Sequence, residues 1–277
     1  MLFAVQDLRA SRVNLLMNDF AAGLPSPLAF LGLGAAIAPL LGAPRWSVAV
    51  LPVLHEVVPS DGRTKPEMAA KGGYFGPIET PEDLVGSVRV SLLMDIPGCN
   101  NEDAVGKALL GRRIAGGVIQ NGHIEVRQVT PDGQALAGLP RGYAVVAPDH
   151  DERRIVATGA IRDLSAIADV LFPAERIPGM GWLVPVAVGH RLLEDPAEVP
   201  RRAGTRDQTV PHVFTEPMVG VAELVSVRAS RLTSLSETGL FSLLWRWTAE
   251  GEWIVGHPNY HPDRRAAAEK ESLHGQG

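Results

Sequence analysis

Along this chain the apolar positions fall into short runs with strand spacing and three stretches with helical spacing, and their order already outlines a sheet. Residues 2–8 read as a strand, followed by a loop that carries Asn14, Asn18 and Asp19. From Phe20 to Pro44 there is no charged residue, a run long enough to raise the question of a membrane span. Pro25, Pro27 and Pro39 with Gly23, Gly32, Gly34 and Gly42 break it, so it reads instead as a helix buried in protein. Ser26 suits the N-cap, Pro27 the first helical position, and the helix runs through Leu28, Leu31 and Ile37 to an end between Pro39 and Gly42. Apolar on every side, it must be enclosed by sheet and partner. Residues 46–54 are nearly all apolar, as in a strand covered on both faces.

Residues 59–81 are rich in Pro, Gly, Lys and Glu and read as a long surface loop. A strand over 88–94 follows, then a short helix over 101–110 with Asn101 as N-cap and Glu102 and Asp103 at the positive end of its dipole. Residues 118–129 alternate as a strand or hairpin and end in the turn Thr130-Pro131-Asp132-Gly133. Strand, helix, strand, then strand, helix, strand is the ferredoxin-like order, an α+β arrangement with an antiparallel sheet and helices on one face. Residues 1–130 are therefore expected to form one domain with an insertion near 59–81, and residues 131–277 a β-rich second half packing on it. That half offers an apolar stretch at 143–147, a helical pattern at 163–172, strands at 181–188, 219–227 and 240–248, a basic loop at 201–207 and a polar tail from about 262.

Composition narrows the function classes. With 277 residues, 45% of them hydrophobic, the chain can bury a sizeable core. Its single cysteine, Cys99, excludes an internal disulfide and a cysteine-only metal cage, and suits a reducing cytoplasm. The residues before the apolar run fail as a signal peptide, because Asp7, Arg9, Arg12 and Asp19 interrupt them. A net charge of −5 argues against coating nucleic acid through a broad basic surface, so any such contact must be local. Lysines occur only at 65, 71, 107 and 270, which leaves arginine, the better residue for planar recognition of phosphate and bases, as the main cation.

The densest local chemistry lies at Arg112-Arg113-Ile114-Ala115-Gly116-Gly117. Two guanidinium forks stand beside two residues without a Cβ, a backbone that lets an anion come close. His257 and His261 have the spacing of a metal pair on one helical face, but Pro258 and Pro262 make a helix there poor, and two incidental loop histidines are the better reading.

Taken in order, these segments resemble one family: the handle-capping subunit of type I-F CRISPR surveillance (Csy) complexes, within the RAMP superfamily. The opening strand and Asn14 precede Pro25-Ser26-Pro27-Leu28-Ala29-Phe30-Leu31-Gly32, similar to the family's Pro-x-x-x-Phe-x-Gly helix. A strand ending near His55 follows, Arg113-Ile114-Ala115-Gly116-Gly117 resembles the RAMP glycine-rich signature, and Gly142-Tyr143-Ala144-Val145 the start of the next element. In the second half Trp182-Leu183-Val184-Pro185 with Gly189, then Arg206-Asp207, then Pro211, Phe214 and Glu216, then Leu244-Trp245-Arg246-Trp247 keep the family's order. The chain departs in being short, in dispersing its arginines, and in having Trp253 with Ile254 and Val255 where an aromatic pair is usual.

The resemblance implies a ferredoxin-like (RRM-like) RAMP fold, elaborated by the long loop and the C-terminal β-rich half. It implies a non-catalytic, cytoplasmic ribonucleoprotein subunit of antiviral defence, without cofactor or metal and without a membrane. Such a subunit grips the 5′ handle of a guide RNA and pairs with the large subunit that checks the target-flanking motif, with the Cascade-like backbone subunit as a further partner and target DNA as an indirect one. Arg112 and Arg113 with Gly116 and Gly117 are the expected phosphate cradle, Asn14 a base or sugar contact, and Arg206 a second phosphate contact. Structural roles compete at several positions: Asp207 as a residue orienting Arg206, Glu216 as an arginine's ion-pair partner, Trp182, Trp245 and Trp247 as core, His55 as a hydrogen-bonder. The 59–81 segment is expected to order against the large subunit or RNA. Two other functions compete: a RAMP endoribonuclease using His55, His123 or His150 as acid or base, and a scaffold that touches only protein.

Overall fold

The computed structural model describes residues 1–16, 23–60, 63–64, 67–79, 82–148, 168, 171–172, 174–175, 179–202, 204–205 and 209–258. In chain order the strands are β1 (Leu2–Asn14), β2 (Ala49–Pro59), β3 (Arg63–Thr64), β4 (Glu67–Lys71), β5 (Tyr74–Glu79), β6 (Glu82–Asp83), β7 (Val85–Asp95) and β8 (Arg113–Ile114). They continue as β9 (Gly117–Ile119), β10 (Glu125–Gln128), β11 (Tyr143–Val146), β12 (Trp182–Leu192), β13 (Thr215–Ser226), β14 (Arg246–Glu250) and β15 (Trp253–His257). The helices are α1 (Pro27–Ile37), α2 (Glu102–Leu109), α3 (Gln134–Ala137), α4 (Ser230–Thr233) and α5 (Glu237–Phe241). Eleven strands make one sheet in the order β14-β15-β12-β13-β11-β2-β7-β1-β9-β8, with β10 also paired to β1, and every described pairing is antiparallel. The molecule is α+β and mostly antiparallel sheet, and the strands of the second half extend the sheet of the first through β11 beside β2.

α1 begins as its sequence requires. Ser26 accepts a hydrogen bond from the Leu28 N–H at its Oγ and donates its own hydroxyl to the Ala187 carbonyl (2.6 Å), so the cap also fastens the helix to β12. A 3₁₀ turn (Ala38–Leu41) ends at Gly42 in the left-handed region. The sheet curls around α1: Val50 in β2 and Trp245 just before β14 exchange both backbone hydrogen bonds (3.0 and 2.9 Å), bringing the far end of the sheet back to its middle. Inside this curl Phe30, Leu31, Leu33 and Ile37 meet Val50, Val145, Val186, Val188 and Trp245. The Trp245 indole N–H donates to the Val145 carbonyl (2.8 Å), which leaves no polar atom of that side chain unmet. A Cβ on Gly34 would lie 2.9 Å from the Val48 side chain, so helix and sheet are in direct backbone-level contact.

A second apolar layer covers part of the opposite face, where Leu51, Val53 and Leu93 pack against Leu136, Leu139, Leu240, Phe241 and Leu244. This corrects the strand expected over 240–248. Ser236 caps α5 by accepting from the Gly239 N–H (3.3 Å), residues 240–244 turn helically to deliver three apolar side chains to this layer, and the strand starts only at Arg246. The loop expected over 59–81 is also corrected: β4 and β5 form a hairpin turned by Gly72 and Gly73, both with positive φ (54° and 95°), and β3 pairs with β6 at its base. The helical pattern at 163–172 lies almost wholly outside the described residues, as do His150, Arg206, Asp207, His261 and the tail from 262. Among the described residues no helix is long and apolar enough to cross a membrane.

Candidate nucleic-acid interface

The site is built where β1 meets the β8–β9 hairpin. Ala115 and Gly116 form its two-residue turn with φ of 45° and 84°, the type I′ geometry whose twist matches the flanking strands. Only one residue of the glycine pair is needed for positive φ. Gly117 serves close approach, since a Cβ there would lie 2.6 Å from both the Ser11 carbonyl and the Val13 side chain. The hairpin therefore presses on β1, and the Asn14 N–H donates to the Ala115 carbonyl (2.8 Å).

Between these elements lies a groove of about 470 Å³ whose lining includes Arg12, Asn14, Arg113, Ala115, Gly116 and Val118. Asn14 Oδ1 accepts from the Leu16 N–H (2.8 Å), which fixes the amide orientation and leaves the Nδ2 amino group as a donor. Arg113 donates from Nη1 to the Gly116 carbonyl (2.7 Å), holding its guanidinium over the turn. Three expected residues, Asn14, Arg113 and Gly116, are thus together in one concavity. Arg112 is elsewhere: its Nε donates to the Ala108 carbonyl (3.1 Å), so it closes the C-terminal end of α2 and does not line the groove. Gly117 is buried beneath the groove, and Arg206 lies outside the described residues.

Sequence reading missed the surface beside this groove. β1 carries two β-bulges, at Gln6-Asp7 and Ser11-Arg12, and Asp7 and Arg12 occupy the left-handed region (φ 52° and 57°) although neither is glycine. A third bulge, at His55 in β2, faces the first across β7. Asp7 binds Arg89 Nε through Oδ1 and Arg9 Nη2 through Oδ2 (2.9 Å). Burial by itself raises the Asp7 carboxyl, but the hydrogen bonds and charges of Arg89 and Arg9 outweigh it and hold the group below its ordinary range. Polar residues at 7, 9 and 11, period two on one strand face, were the available signal.

His55 is tied at both ring nitrogens, to the Arg141 carbonyl at Nδ1 (2.8 Å) and to Ser91 Oγ at Nε2 (2.7 Å). Nδ1 therefore carries the proton and Nε2 accepts from the Ser91 hydroxyl, which in turn accepts from the Asp7 N–H (3.1 Å). Desolvation is the main reason its pKa is lowered, ahead of the opposing bond to Arg141. Of the three tryptophans expected in the core, Trp245 is buried and Trp247 half-buried edge-on to Trp46 (5.6 Å), while Trp182 is 59% exposed. Glu216 is in register with Arg191, whose ion pair is with Glu252 (3.2 Å).

Residues 159–254 match the family described as CRISPR-associated protein (Cas_Csy2). The match supports a type I-F Csy CRISPR-associated subunit. The matched region holds β12 to β14 and the first two residues of β15, the strands that close the curl around α1. Two curated relatives are each 28% identical over 176 residues, 60% of this chain: the pyrroline-5-carboxylate reductases of Escherichia coli (strain K12) and Shigella flexneri. The chain spans 59% of the length of these relatives.

Proposed function

We propose that this chain is the non-catalytic, cytoplasmic subunit of a type I-F-like RNA-guided DNA surveillance complex that holds the 5′ handle of the guide RNA and pairs with the large subunit inspecting the target-flanking motif. The backbone subunit is its other neighbour, and it works without cofactor. Under this reading residues 1–130 are a ferredoxin-like RAMP domain with residues 131–277 packed on it. The strand order β2-β7-β1-β9, with α1 and α2 on one face, supports that reading.

The single observation that carries the proposal is the groove: Asn14 Nδ2, Arg12 and Arg113 converge where Gly116 exposes backbone, and the side chains there offer donors to an acceptor-rich, single-stranded ligand. Arg206 is retained as a second phosphate contact, whereas Arg112 and Gly117 act by shaping the hairpin. The endoribonuclease alternative is disfavoured by His55, whose two nitrogens are both engaged by the protein.

The test is co-expression with the large subunit and guide RNA, followed by ultraviolet crosslinking of handle nucleotides to wild type and to an Arg12→Ala/Arg113→Ala variant. Crosslinks lost in an assembled variant complex agree with the proposal. Unchanged crosslinks move the grip off the groove, and a wild-type complex that assembles without any crosslink to this chain makes it a protein-only scaffold.

A further inference from the structure

The groove opens onto a stretch of sheet that no described helix covers. Beyond Leu51, Val53 and Leu93, the same face of β2, β7 and β1 changes from apolar to polar, in rows across the strands. One row is His55, Ser91 and Asp7; the next is Glu56, Arg89 and Arg9; the last is Val58, Ser87 and the Ser11-Arg12 bulge, which leads through Val118 to Arg113.

Arg9 and Arg89 are direct cross-strand partners, a like-charge pairing that destabilises a sheet unless it is compensated. One carboxylate serves both, and Asp7 reaches them only because a bulge places it in the left-handed region, a conformation that strains a non-glycine residue. The network behind it is complete: Asn121 accepts from the Arg9 N–H (2.8 Å) and donates to the Asp7 carbonyl (2.9 Å), and the Asp7 N–H meets Ser91, which His55 holds. Strained backbone, like charges and a closed hydrogen-bond frame all converge on two guanidinium groups whose side chains stay 63% and 41% exposed. Each binds Asp7 through one nitrogen and keeps the rest of its fork for a ligand.

We propose that Arg9 and Arg89, aimed by Asp7, form a second phosphate-binding subsite for single-stranded nucleic acid, continuous with the groove at Arg12 and Arg113. Arg9 lies three residues from Arg12, roughly 10 Å along a strand at about 3.3 Å per residue, so one extended oligonucleotide spans both. Asp7 and Glu56 lie on the same face and offset two of the charges, which makes the subsite a local phosphate contact in keeping with the acidic chain as a whole. The inference rests on the proposed guide-RNA function and extends it from the groove to the open sheet.

The test uses the full chain and a fluorescein-labelled, mixed-sequence RNA octamer, with anisotropy followed across a salt series for wild type, Arg9→Gln/Arg89→Gln, Arg113→Gln, Asp7→Asn and Arg9→Lys/Arg89→Lys. Thermal melts restrict the comparison to folded variants. The double glutamine variant is expected to weaken binding about tenfold or more and to make the slope of log affinity against log salt shallower by about 1.4, the value for two single-strand phosphate contacts. The double lysine variant is expected to keep the slope and lose part of the affinity, because it keeps charge and loses the fork. Asp7→Asn is expected to keep the slope while weakening binding, since the arginines lose their orientation. A wild-type slope in the folded double glutamine variant, together with a shallower slope in Arg113→Gln, overturns the subsite and leaves the groove standing. A wild type that does not bind the octamer overturns both.

Discussion

The two ends of the β1–β7 pair belong to the same strands yet obey different rules. At Leu2–Val5 against Leu92–Asp95 the register is regular, both faces are covered, and the one charge, Asp95, is 1% exposed and met by the terminal amine (3.4 Å) and Arg246 (3.3 Å). At Asp7–Arg12 against Ser87–Ser91 one face is bare, the register slips twice, and arginines stand in the open. The difference teaches that regular pairing goes with burial on both faces, whereas bulges collect where one face is left bare.

The covered end gives the largest effects. Phe30→Ala empties the centre of the curl and is expected to cost about 3–5 kcal/mol, read as a lower midpoint in denaturant titration. Asp95→Asn leaves Arg246 without its carboxylate and is expected to cost about 3 kcal/mol by the same measurement. An Asp95→Asn chain as stable as wild type would show that the pair adds nothing at the covered end. At the junction of the two ends the glycine pair separates two causes. Gly117→Ala drives a Cβ into β1 and is expected to cost about 1–3 kcal/mol with faster amide exchange at Val118 and Ile119. Gly116→Ala meets nothing within 4 Å and carries only the strain of φ 84°, about 1 kcal/mol.

The open end gives the smallest effect, and it depends on pH. His55 has a lowered pKa, so below its unfolded value of 6.5 the unfolded chain binds the proton more readily than the folded one. Its contribution is therefore intact at neutral pH and lost as the pH falls below 6.5 toward the folded value. Melting temperature followed on acidification should fall in this window for wild type and stay flatter for His55→Gln, and parallel curves would refute the linkage. Asp7 acts in the same direction at lower pH: its depressed pKa means that stability present above 3.8 is lost as the pH falls through the folded value.

Much of the covered end was legible in the sequence because burial writes itself as composition. The Ser26 cap, Pro27 start, Gly42 stop and uniformly apolar face of α1 all state their roles locally, as does Asn101, whose Oδ1 accepts from the Ala104 N–H (3.0 Å). The curl that encloses α1 was not legible, because a bond between Val50 and Trp245 has no local trace. At the site, Arg113 and Gly116 were marked by their glycine-rich context, while Arg112 looked equivalent and was separated from them only by the direction its side chain takes back to Ala108. Arg9 and Arg89 were invisible as a pair since register brings them together and the bulge supplies Asp7. The strand assigned to 240–248 failed because Leu240, Leu243 and Leu244 fit either period, and Ser236 decided the matter from outside the run.

The clasp between Val50 and Trp245 also sets an order of events during synthesis. α1 is made early, but the strands that enclose it, β12, β14 and β15, emerge only after β2, β7 and β11. Until they do, α1, apolar on every side, has nothing to cover its second side, and a ribosome-bound or truncated chain carries that surface in the open. Closing so distant a contact is slow, which makes the nascent chain, more than the finished one, the form exposed to aggregation.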